Sequence, residues 1–155
     1  MLERHTRLPV RDLVEAAKTC DATPAEWIRQ TGSLSALIGY LDLVWRDFVV
    51  HDGCLLREGF TLENFNQWMN ATNGDRTAVE AMMNHEHILD LFVNHESELT
   101  SEQVLLAGRV LREMWCAKLS KDYPHLPVTV SFPDDELFED LLDYEITVYL
   151  NRPIP

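Results

Sequence analysis

Residues 76–93, RTAVEAMMNHEHILDLFV, constrain the fold more than any other stretch of the chain. At about 100° per residue, their apolar side chains cover more than half of a helical circumference. A helix of that kind must be enclosed by other elements. Asn73-Gly74 breaks the chain just before it, and Asp75 is placed to cap its free N–H groups.

Other segments repeat the helical period. Ser33 opens a helix to about Val50, with Leu34, Leu37, Ile38, Leu41, Trp45, Phe48 and Val49 in one arc, so the spacing predicts a core helix stopped by His51-Asp52-Gly53. Thr61 opens a helix with Phe65, Trp68 and Met69 on its inner side. Thr100 and Gln103 form a capping box for a long helix to about Lys121. Its faces, Val104, Leu111, Trp115 and Leu119 on one and Leu106, Val110 and Ala117 on another, suit either a central helix or a homodimer formed through residues 101–121. Arg109, Arg112, Lys118 and Lys121 gather toward its C-terminal half, where cations favour the helix dipole. Upstream, the apolar spacing of Val10, Leu13, Val14 and Ala17 and the start signal Thr23-Pro24-Ala25-Glu26 predict two short helices, an arm over residues 1–32 packed on the body.

The pattern changes after Pro124. Val128, Val130 and Phe132 alternate with polar residues, as do Ile146, Val148 and Leu150, which reads as two strands; Asp134 to Leu142 between them reads as a short amphipathic helix. The expected fold is therefore α+β and predominantly helical, about six helices with a small two-stranded β element near the C-terminus, in a single domain over residues 1–155.

Charge narrows the partners. A net charge of −13 disfavours nucleic acid, whose phosphates require clustered Lys and Arg, and suits a basic protein partner. The densest acidic run contains Asp134, Asp135, Glu136, Glu139 and Asp140. It lacks the glycine that a calcium loop needs at its turn, so the readings are a solvated face or a docking surface. No apolar run is long enough to cross a bilayer, and the basic N-terminal segment has no apolar stretch behind it; a cytoplasmic protein with no membrane partner is expected. Cys20, Cys54 and Cys116 are too scattered for a zinc or disulfide framework and read as free thiols.

His85-Glu86-His87 resembles a metal motif only superficially. On a helix, residues two apart differ by about 200°, so both imidazoles face one ion only if the helix breaks there. On an intact helix His85 points into the core, Glu86 lies at its margin, and His87 lies with Arg76 and Glu80 on the polar side. His51, His85 and His95 are the weak metal candidates, and no cofactor is implied. Nucleophile and phosphate-loop signatures are absent from the sequence. The leading expectation is a non-catalytic protein-interaction or regulatory module that uses acidic and apolar surface. The alternative is a small-molecule- or metal-binding enzyme with a pocket around His85 and Glu86, these two serving as its catalytic residues.

Overall fold

The computed structural model describes Glu26, Arg29, Gln30 and residues 32–91, 99–135 and 137–152. The predicted helical arm over residues 1–32, except Glu26, Arg29, Gln30 and Gly32, lies outside these, as do His95 and Glu136.

Among the described residues there are four α-helices and two small sheets, one of two strands and one of three. This corrects the expectation of about six helices with one two-stranded element. In chain order they are α1 (Leu34–Val44), β1 (Phe48–His51), β2 (Cys54–Arg57), α2 (Leu62–Ala71), α3 (Arg76–Asn84), β3 (Glu86–His87), α4 (Ser101–Asp122), β4 (Val128–Ser131) and β5 (Glu145–Leu150).

The first correction is at Val44. The helix predicted to reach about Val50 stops there, and Phe48 to His51 form the first strand of a hairpin with β2, pairing Phe48 with Arg57 and His51 with Cys54. A two-residue turn joins them, with positive φ at both Asp52 (47°) and Gly53 (75°). Such a turn twists in the sense that antiparallel strands require, and Asp-Gly is among its preferred sequences. Arg76 holds it by donating to the Asp52 carbonyl (2.8 Å) and carboxylate (3.0 Å), and Arg152 donates to the Gly53 carbonyl at 2.6 Å.

The second correction is at Asn84, where α3 ends; His85 is already extended, and Glu86 and His87 pair with Ile146 and Glu145 of β5. β5 is the central strand of the order β3-β5-β4, antiparallel to both neighbours. Its Ile146, Val148 and Leu150 are buried, which accounts for the alternation in the sequence. The acidic segment after Pro133 contains only a short 3-10 turn at Leu141–Asp143, capped by the Asp140 carboxylate on the Leu142 N–H; the amphipathic helix predicted from Asp134 to Leu142 is not formed among the described residues.

The larger core gathers Phe48, Leu55, Ile88, Val104, Leu111, Trp115, Leu119, Tyr144, Ile146 and Val148 between α4 and the strands. A smaller one joins Cys54 and Leu56 to Phe65, Val79 and Met83. β2 stands between the two cores, so Cys54, Leu55 and Leu56 are all buried and the strand shows no alternation. On α4, Gly108 lies directly under the Phe132 ring.

Glu80 and Asn84, one turn apart on α3, connect the two sheets. Both are fully buried. Glu80 accepts from the Leu55 N–H (2.7 Å) and the Leu150 N–H (2.9 Å), and both carboxylate oxygens receive the Arg152 guanidinium at 2.7 and 2.8 Å. Asn84 donates to the Leu55 and Val148 carbonyls and accepts from the Arg57 N–H. The facing edges of β2 and β5 thus receive from two side chains the hydrogen bonds that a continuous ladder would supply.

Candidate functional site

Because α3 ends at Asn84, Glu86 leaves the helical arc and lies in a cleft of about 600 Å³. Arg46, just after α1, and Arg57, at the end of β2, both direct a guanidinium at Glu86 Oε1. The Arg46 contact measures 2.5 Å. Arg57 also donates to the Met83 carbonyl at 3.1 Å, and Arg46 lies 6.0 Å from the centre of the Trp115 ring. One carboxylate therefore serves two cations whose side chains are only 22% and 28% exposed. Burial pushes the Arg46 pKa down, with Asp42 opposing it; burial and then the charge of Arg46 push Arg57 down. Asp42, Asp47 and Glu58 add carboxylates to the lining, with Thr61 and Asn64 as neutral polar groups.

The histidines are arranged differently from the helical expectation. In extended backbone, residues two apart share a side, and the His85 and His87 rings are 5.7 Å apart, edge to face. His85 is half-buried rather than in the core, with Nδ1 2.6 Å from the Met82 carbonyl; His87 Nδ1 is 2.6 Å from the Leu142 carbonyl. His85 does not line the cleft that holds Glu86. His51 packs against Phe60 and Phe65 at 5.2 and 5.0 Å. Among the described residues, no group of three His, Cys, Asp or Glu side chains converges to hold a metal ion.

Two surfaces bear on partners. In the acidic segment Asp134 is engaged by α4: Arg112 pairs with its carboxylate at 2.6 Å, and Arg109 donates to its carbonyl. Asp135, Glu139 and Asp140 are exposed. The other surface is α1, where Leu34 (72%), Ile38 (60%), Leu37, Tyr40 and Leu41 are exposed and no residue is fully buried. At its C-terminal end Val44 packs on the larger core, and Trp115 Nε1 donates to the Leu43 carbonyl at 3.1 Å. α1 was expected to be a core helix; it presents its apolar arc outward. On α4, Val104, Leu105, Leu111, Trp115 and Leu119 are buried, Leu106 and Val110 are half-buried and Ala117 is exposed.

The cleft's arginines were not identified as site residues from sequence. Arg46 and Arg57 are separated by a hairpin and meet only because it folds back; the signal available was the Asp52-Gly53 turn. No helix among the described residues is long and apolar enough to cross a membrane. No family model, no curated protein and no solved structure matches the chain.

Proposed function

We propose that the protein is a non-catalytic interaction module whose α1 face docks an amphipathic helix from a basic partner. The observation that carries this reading is the exposed apolar arc of Leu34, Leu37, Ile38 and Leu41. Contiguous exposed apolar side chains on a soluble domain mark a surface that is covered in use, and a groove-bound amphipathic helix is a common way to cover one. Charge selects the sign of the partner. A second copy brings another −13, whereas a cationic helix is drawn in by the same field and by the exposed Asp135, Glu139 and Asp140.

The test titrates the 155-residue chain with a Leu/Lys amphipathic helical peptide and with its Leu/Glu counterpart, alongside light scattering of the protein alone. The expected result is saturable binding of the Leu/Lys peptide only, to a monomeric protein, weakening as salt rises. A stable homodimer that the peptide does not displace, or equal binding of both peptides, would overturn the reading.

A further inference from the structure

We infer that the cleft over Arg46, Arg57 and Glu86 is a binding site for a small zwitterion, an amino-acid-like molecule whose carboxylate and ammonium are a few bonds apart. The inference follows from how charge is layered in the cleft. Glu86 neutralises one of its two guanidiniums, which leaves one positive charge in excess on a partly buried floor. A second carboxylate is the group that a paired guanidinium floor accepts best, because the planar fork matches its two oxygens.

The remaining charges are negative. Asp42 and Glu58 line the same cleft, and Asp47 shares Lys118 with Asp122, so that cation is already divided between two carboxylates. A simple dianion would meet Asp42, Asp47 and Glu58 on entry, within a protein of net charge −13. A simple cation would meet the two arginines. A molecule carrying both signs satisfies both layers, and Asp42 and Arg46, four residues apart in the chain, line the same cleft, which suits a short spacer. Thr61 and Asn64, at the start of α2, offer neutral hydrogen-bonding groups, and Phe60 and Met83 offer apolar contact for the spacer.

The test is calorimetric titration of the full chain with ω-amino acids from glycine to 6-aminohexanoate, each compared with the dicarboxylate and the diamine of equal length. One or more of the amino acids should bind saturably and more tightly than both of its matched controls. Arg46→Gln should weaken that amino acid on the order of tenfold, the loss of one charge-assisted contact. Asp42→Asn with Glu58→Gln, on exposed positions that leave the floor intact, should weaken the amino acid similarly while the dicarboxylate gains affinity. A diamine or dicarboxylate binding tightest, no saturable binding at millimolar concentration, or unchanged affinity in the Asp42→Asn, Glu58→Gln protein would overturn the inference.

Discussion

Replacing Glu80 by Gln tests the connection between the two sheets. The carboxylate is fully buried and accepts four hydrogen bonds, two from backbone N–H groups on different sheets and two from Arg152. A glutamine of the same shape keeps one oxygen and turns an NH2 group toward either Leu55 or Leu150, donor against donor. An unsatisfied buried N–H costs about 1–3 kcal/mol, and removing one member of a buried ion pair costs about 3–5. The second figure is discounted because the Arg152 side chain is 28% exposed and can turn to water. The expected net loss is about 3 kcal/mol, a large share of the roughly 5–15 kcal/mol that holds a domain folded. Urea unfolding followed by tryptophan fluorescence should show the midpoint falling by roughly 1.5 M if m is about 2 kcal/mol/M, with m unchanged. A double-mutant cycle with Arg152→Met should give a coupling of at least about 1 kcal/mol. A midpoint shift under about 0.3 M would refute the idea that Glu80 joins the sheets.

Further expectations follow from other sites. Gly108→Ala, which raises helix propensity by roughly 1 kcal/mol on an open helix, should instead destabilise by about 1–3 kcal/mol, because the new methyl group meets the Phe132 ring; this is measurable by the same urea curves. Burial pushes the Cys54 thiol up to about 11, with the Glu80 charge adding to it, so iodoacetamide at pH 8 should leave Cys54 unmodified until denaturant is added, as peptide mass spectrometry would show. The sign of the linkage follows from that raised value. The stabilisation from neutral Cys54 is complete below the ordinary thiol value of 9.0 and is lost as pH rises toward 11, so stability should fall through that window and fall less steeply in Cys54→Ala.

Local chemistry made part of the fold legible. The Thr100–Gln103 capping box starts α4, Thr61 and Asp75 cap α2 and α3, and the alternation of Val128, Val130, Ile146, Val148 and Leu150 marks β4 and β5. What misled was apolar periodicity that ran through chain breaks. Phe48 and Val49 continue the arc of α1, and Ile88 to Leu91 continue that of α3, although both sets lie beyond the helix ends. β1 looks like helix in such a window, since its four residues show no clean alternation, while β2, buried at Cys54, Leu55 and Leu56, is too short to show a period of its own. The Asp52-Gly53 turn carried the contrary signal.

The same error hid the cleft. On a helix His85 points inward and Glu86 sits at the margin; on extended backbone Glu86 meets Arg46 and Arg57, and the two histidines meet each other. The helical period puts Glu80 on the polar side of α3, and nothing in the sequence reveals that two strand edges and Arg152 converge on it.

The proposed docking role of α1 is tested most directly by Ile38→Asp, measured as the affinity of the Leu/Lys peptide. Ile38 is 60% exposed, so the substitution leaves the core untouched while adding one negative charge. If the peptide docks on the apolar face of α1, affinity falls at least about tenfold, the worth of one buried aliphatic side chain at an interface. If attraction is by charge alone, the added carboxylate leaves affinity unchanged or raises it, and that result would contradict the account.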